Sequence, residues 1–396
     1  MTSSGISTAS GLGALERLRG THRRSITSLL SATGPMSRAD LVRATGLSRT
    51  TVSSLVAELM SSGYVTETSD RGRPHKGGSG RPPLLLRLTT PAGGVAGVDI
   101  GHGHVRVVVA DRAGTVLAER VQTVDVDADG PDTLDRAASM VRAAMDEAGL
   151  APEDLQAVGM CVPAPLNRRS ARINTAILAG WRDLPPAEEL ERRLGAPVVL
   201  DNDANLGALA ELHHGAARGH TEAVYLKLAS GVGAGLVIGG RLHRGATGIA
   251  GELGHVQVGE DGHVCRCGNR GCLETLVAAP RLLDVLRPAY GEELTTERML
   301  ELDANDDAGV RRVLSDAGRT IGRALADLCN SLNPAVLVVG GSLGSSRSLG
   351  AGIRDSIDRY AQPDTAAAIK VVPGQLGDRG EVVGAVSLAI SRLALA

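Results

Sequence analysis

Along the first ninety residues, apolar side chains recur with a helical period. Ile26, Leu29 and Leu30 give one face to a first helix at His22–Ser31. Ser37 opens a second helix, where Asp40 completes a capping box and Gly46 ends the element. After the turn Gly46-Leu47-Ser48, Ser48 caps a third helix with Val52, Leu55, Val56 and Leu59 at i, i+3, i+4 and i+7. Its opposite or leading surface holds Arg49, Thr50, Thr51, Ser53 and Ser54. Gly63-Tyr64-Val65 then leads into a winged extension that returns along Leu84–Leu88. From Val95 the period shortens: strand-like runs such as VAGVDI, VRVVVAD and VLAERVQTV precede a helix near Pro131–Ala148. AVGMCV, VVLDN, a helix at Asn205–Leu212, AVYLKL and GAGLVIGG follow, and AVLVVGG and AIKVVP are later strands in a mainly helical remainder. The order predicts an α/β body with helices on its sheets, compatible with two similar βββαβα halves.

Two or three domains are expected of 396 residues. We read 1–20 as a flexible, Ser/Gly/Thr-rich N-terminus, 21–90 as a separate head, and 91–396 as the body, hinged at Pro91–Gly94. With no Phe, one Trp and four Tyr, the cores must be aliphatic. Cys161 and Cys329 lie in apolar surroundings and read as reduced core thiols. Neither a signal peptide nor an apolar run of transmembrane length is visible, so a cytoplasmic protein with no membrane partner is expected.

Charge divides the chain. Residues 1–90 carry 12 Lys/Arg against 5 Asp/Glu, and the remainder is acidic. A basic head on an acidic body calls for a polyanion partner at the N-terminus, which identifies the tight helical pair as a helix-turn-helix for double-stranded DNA. Arg38, Ser48, Arg49, Thr50, Thr51, Ser53 and Ser54 are the expected helical contacts, since short hydroxyl side chains and Arg suit a helix tip in a major groove. The wing tip adds Arg71, Arg73, Lys76 and Arg81; RGRP at Arg71–Pro74 resembles a minor-groove AT-hook core, and a solvated basic loop touching phosphates is the plainer reading.

Candidate chemistry concentrates in 248–274, where Cys265, Cys267 and Cys272 are spaced C-x-C-x4-C. Thiolates this close suit a soft tetrahedral metal site, with structural zinc the default. His263 and His255 compete for the fourth position; His263 is too near Cys265 to close the ring comfortably, whereas His255 approaches from behind a Gly-rich turn. Glu252 and Glu274 would then stand beside the metal loop.

GELGH at Gly251–His255, CRCGNRGCLE at Cys265–Glu274, DNDAN at Asp201–Asn205, Gly180-Trp181 and LNPAVLVVGG at Leu332–Gly341 together resemble the ROK family of repressors, open reading frames and sugar kinases. The resemblance implies an actin-like ATPase (ribonuclease H-like) body of two lobes, and the N-terminal winged helix-turn-helix followed by GRPP at Gly80–Pro83 resembles the regulator branch. It assigns the metal to His255, Cys265, Cys267 and Cys272. It also implies that Asn202, Asp203, Glu252, His255 and Glu274 contact the hydroxyls of a monosaccharide, with Gly180 at the pocket. In the family's kinases the aspartate at the Asp203 position is the general base.

One departure bears on activity. The kinases' first phosphate loop resembles DIGGTK, whereas this chain has Asp99-Ile100-Gly101-His102-Gly103-His104. His102 puts a ring where phosphate needs bare backbone, and both histidines are expected as exposed turn side chains. The loop Ala229–Gly235 remains suited to phosphate. The expectation is a sugar-responsive regulator, a repressor by resemblance, acting as a homodimer or homotetramer. The alternative is an ATP-dependent hexose kinase that retains a DNA-binding head.

Overall fold

The computed structural model describes residues 19, 22–23, 25–27, 29–30, 33–61, 63–71, 84–89, 93–167, 172–173 and 177–393. The chain forms two compact units: one runs to Gly93 and takes in 111–113 and 393–396, and the other comprises 94–110 and 114–392.

In the first unit, strand β1 (Met36–Ser37) leads into the helix Arg38–Thr45. The Asp40 N–H donates to Ser37 Oγ at 3.2 Å and the Ser37 N–H to the Asp40 carboxylate at 3.0 Å, closing the expected capping box. Gly46 ends the helix at φ 70°, a left-handed conformation that favours glycine. The next helix, Arg49–Ser61, starts with the Thr51 N–H donating to Ser48 Oγ at 3.1 Å. Its buried Val52, Leu55, Val56 and Leu59 join Ile26, Leu30, Leu41, Val65 and Leu86 in an aliphatic core. Strands β2 (Val65–Arg71) and β3 (Leu84–Leu88) pair antiparallel as the wing, in a sheet of order β1-β3-β2. Arg73, Lys76 and Arg81 of its tip lie outside the described residues, as do 1–18.

The second unit holds two five-stranded sheets. The first lobe has β4 (Gly94–Gly101), β5 (His104–Asp111), β6 (Val116–Thr123), β7 (Leu155–Val162) and, after the short pair β8 (Leu166–Asn167) and β9 (Arg172–Ile173), β10 (Val198–Asn202). The second lobe has β11 (Ala223–Leu228), β12 (Val232–Ile238), β13 (Arg241–His243), β14 (Val336–Gly340) and β15 (Lys370–Pro373). Their orders, β10-β7-β4-β5-β6 and β13-β12-β11-β14-β15, are the same topology used twice. In each, an antiparallel meander of three strands is extended by two parallel strands reached through helices. The duplicated α/β body is therefore what the chain forms. No described helix is long and apolar enough to cross a membrane.

Two helices cross between the sheets. Asp203–His214 follows the first lobe's last strand yet packs on β11 and β12, whereas Gly380–Leu393 ends the second lobe's chain and packs on β4 and β7. A Cβ at Gly159 of β7 would sit 1.9 Å from the Ala385 carbonyl oxygen, and one at Gly384 would sit 2.0 Å from that of Leu206. The crossing therefore requires bare backbone. Gly159→Ala should destabilise the body at or above the top of the ~1–3 kcal/mol typical of overpacking. Thermal unfolding should show it as a Tm lower by roughly 2–4 °C for each kcal/mol; an unchanged Tm would show that the crossing has slack.

Candidate functional site

The crossing carries two helix N-termini to one place, and the C-terminal ends of β4 and β11 arrive beside them. A cleft of about 540 Å3 opens there. Its lining includes Asn202, Asp203, Glu252, His255 and Glu274, so the structure brings five of the expected sugar contacts together. Gly180 is not among the lining residues. Its N–H donates to the Asp127 carbonyl at 3.2 Å, and a Cβ there would meet Ala128 O at 2.5 Å. These contacts tie Gly180 to the loop before the helix Gly130–Glu147.

The loop 248–274 folds around its metal-type donors. Cross-loop bridges join Gln257 to Cys272 and Val264 to Arg270, and the Gly271 N–H donates to the His263 carbonyl at 2.9 Å. His255, Cys265, Cys267 and Cys272 thereby present ligand atoms all within 4.8 Å of one another, and His263 is not part of the group. Cys265 Sγ lies 3.5 Å from His255 Nδ1, and Cys267 Sγ lies 3.7 Å from Cys272 Sγ. Ordinary zinc–sulfur and zinc–nitrogen bonds imply tetrahedral edges of about 3.8 Å between sulfurs and about 3.5 Å between sulfur and nitrogen. The donor set therefore fits a soft tetrahedral ion. Burial, with Cys267 and Cys265 beside it, pushes the Cys272 thiol up to about 12 when no cation draws off its proton.

The carboxylates differ in freedom. Glu274 is anchored by the Val232 N–H, which donates to Oε2 at 3.0 Å. Glu252 lies 3.7 Å from His255 Nε2, the imidazole nitrogen remote from the thiols. Burial, reinforced by Asp203 and Glu274, raises its carboxyl to about 7. Asn202 caps the helix Asp203–His214 by accepting the Ala204 N–H at 2.9 Å, leaving its amide to donate to Ala164 O at 3.3 Å. Asp203 is engaged at both oxygens: Oδ1 accepts the Ala204 N–H at 2.7 Å and Oδ2 accepts from Lys227 Nζ at 2.7 Å.

The histidines of the first glycine loop are not idle turn residues. His102 is only 16% exposed in its side chain and meets Asp127 Oδ1 at 2.6 Å through Nδ1. Arg266, between two metal-type cysteines, donates to Asp127 Oδ2 at 2.7 Å, so the loop of one lobe is tied to the other across the cleft mouth. His104 Nε2 meets the buried Asp99 at 3.0 Å, and the Cys161 thiol donates to the same carboxylate at 3.2 Å. Burial opposes ionisation of Asp99, but His104 and Lys227 outweigh it and hold the carboxyl below its ordinary range.

Sequence reasoning missed Lys227. It is one of only three lysines in the chain and stands within the apolar strand AVYLKL, which was the available signal. It also missed Arg244, whose Nε donates to the buried Asp201 at 2.7 Å, with Asn205 Nδ2 completing that carboxylate at 2.9 Å.

In the first unit, Ser48, Arg49, Thr50, Ser53 and Ser54 are exposed and Thr51 partly so, on the side of their helix away from the core. Arg38 is already paired, with Nη1 at 2.7 Å from Glu67 Oε1. Arg71 ends β2.

Comparison with known proteins follows the same division. The ROK family profile matches residues 95–392 and a MarR family profile matches 28–73. The xylose repressor of Bacillus spizizenii is 29% identical over 358 residues, covering 90% of this chain and 91% of that protein. A glucokinase of Streptomyces coelicolor is 31% identical over 313 residues, covering 74% of this chain and 96% of its own length. Among solved structures, a ROK family transcriptional regulator homologous to Escherichia coli Mlc superimposes with a TM-score of 0.79 at 24% identity, over 96% of this chain and 97% of the other.

The quartet sets an expectation for composition. Purified protein should carry close to one equivalent of zinc per chain by elemental mass spectrometry, and Cys272→Ser should lose most of it. A folded wild type that neither contains nor takes up zinc would contradict the metal assignment.

Proposed function

The chain belongs to the ROK family, and we propose that within it this protein is a sugar-responsive DNA-binding regulator, a repressor of genes for carbohydrate uptake or catabolism. The observation that carries the reading is the exposed polar front of the helix Arg49–Ser61, on a chain whose body gathers carboxylates around a cleft. Similarity to a xylose repressor over nine-tenths of the chain supports it. Residues 21–90 would be the head and 91–396 the sugar-binding body.

A monosaccharide offers a ring of hydroxyl donors, which Asp203, Glu252 and Glu274 accept and which Asn202 and His255 Nε2 complement. Zinc at His255, Cys265, Cys267 and Cys272 would supply rigidity, drawing the loop to one vertex. The loop in turn orients Glu252 and Glu274. Arg266 and Asp127 close the mouth, so sugar occupancy favours one lobe arrangement over the other. Two heads of a homodimer, or of a homotetramer built from dimers, would sit on a palindromic operator in one arrangement and leave it in the other.

The kinase alternative has support in the Streptomyces glucokinase likeness and in the loop Ala229–Gly235. Against it stand His102 in the first loop and the ion pair that occupies Asp203, the position of the family's general base. Phosphoryl transfer rests on positioning and electrostatics, and both are altered here.

Fluorescence anisotropy with DNA from the chain's own upstream region, titrated with D-xylose, D-glucose and N-acetyl-D-glucosamine, tests the reading. One of these sugars should weaken operator binding by about 5–150-fold, while coupled ADP release shows no sugar-dependent turnover. Operator binding deaf to all three sinks the regulator reading, and brisk ADP release installs the kinase.

A further inference from the structure

The cleft wall holds a charge cluster of which only Asp203 is an expected sugar contact. Asp99, Asp203 and Glu381 are buried at 2%, 8% and 4% exposure, and each comes from a different element. Asp99 is at the end of β4 in the first lobe, Asp203 begins one crossing helix and Glu381 begins the other. Lys227, from β11 of the second lobe, enters among them. Its ammonium lies 2.7 Å from Asp203 and 3.7 Å from Glu381. The Tyr225 hydroxyl, two residues back on the same strand, donates to Glu381 Oε1 at 3.1 Å. Gly207 and Gly340 make room for that ring; a Cβ at either would lie 2.4 Å or less from it or its hydroxyl. Burial opposes a charge on Lys227, yet Asp203, Glu381 and Asp99 outweigh it and hold the amine protonated.

The geometry points to Lys227 as the positioning residue that couples sugar occupancy to lobe arrangement, by exchanging Asp203 for Glu381 and Asp99 as its main partners. This inference rests on the regulator reading and deepens it. A sugar hydroxyl has access to Asp203 only at the oxygens that Lys227 and the Ala204 N–H already engage. A hydroxyl added there shares the carboxylate's charge with Lys227 and weakens that pair, and because a buried ammonium with weakened partners is costly, the balance tips toward its other carboxylates. Glu381 stands next nearest, on the helix that packs against the first lobe. A shift of the ammonium toward it moves β11 relative to that helix, and the motion passes into the joint between the lobes. The ligand then changes an equilibrium because its contacts differ between the two arrangements.

The test compares Lys227→Met, Lys227→Arg and Glu381→Gln with the wild type. Each protein's operator affinity is measured with and without D-xylose, D-glucose and N-acetyl-D-glucosamine, alongside sugar binding by calorimetry. Lys227→Met and Glu381→Gln should still bind the sugar that the wild type answers, but the sugar-induced change in operator affinity should fall to about twofold or less. Lys227→Arg should restore a substantial part of it. A fixed structural prop would not separate sugar binding from its effect on DNA in this way. Glu381→Gln keeps the Lys227–Asp203 pair, so it decides the matter if Lys227→Met does not fold. Full sugar response in folded Glu381→Gln or Lys227→Met overturns the proposal. Hydrogen exchange supplies a second arm without sugar: Lys227→Met should expose amides at the starts of 203–214 and 380–393 while 308–332 stays protected. An unchanged pattern overturns the joint role. A wild type that ignores all three sugars removes the regulator reading, and the coupling with it, whatever the exchange pattern.

Discussion

The body depends on one close approach: two helices passing between two sheets with carbonyl oxygens lying against glycines. Gly159 and Gly384 are the points of contact. Side chains of ordinary size there would force the sheets apart, and the acids at the helix starts would no longer meet the strand ends. The crossing therefore does for the polar site what a hydrophobic core does for a single domain. It sets which groups are neighbours before any of them interacts. Duplication makes the arrangement economical, since each copy of the same strand order lends its last helix to the other sheet.

Electrostatics follows from that placement. Carboxylates from separate elements converge where water is scarce, and isolated burial of each would be expensive. Three different solutions are visible. Asp201 is satisfied by Arg244 and Asn205, Asp99 by His104 and Cys161, and Asp203 by Lys227. Glu252 meets His255 at 3.7 Å but no Lys or Arg among the described residues, and its carboxyl is held up instead, near 7.

Local signals in the chain were enough for the local structure. Ser37, Asp40 and Gly46 bracket a helix because capping and left-handed backbone depend on neighbours a few residues away. The four metal-type residues span only eighteen positions, so spacing alone brings them into reach. Strand and helix order was likewise readable, and the internal duplication it allowed is present. What escaped was long-range pairing. His102 reads as an exposed turn residue because Asp127 and Arg266 lie 25 and 164 positions away. The N–H of Gly180 is committed to Asp127, 53 positions away, a pairing its sequence neighbourhood does not announce. Lys227 has partners 24 and 154 residues off, and no periodicity announces them.

Trp181 is the chain's single tryptophan, buried in the first lobe with its indole nitrogen donating to Val126 O at 2.8 Å. Val126 adjoins Asp127, the residue that receives Arg266 from the opposite lobe. The molecule thus has a native optical gauge wired to the rim of its own jaws. With no other indole to dilute the emission, a change at that rim has a spectral signature that needs no added dye.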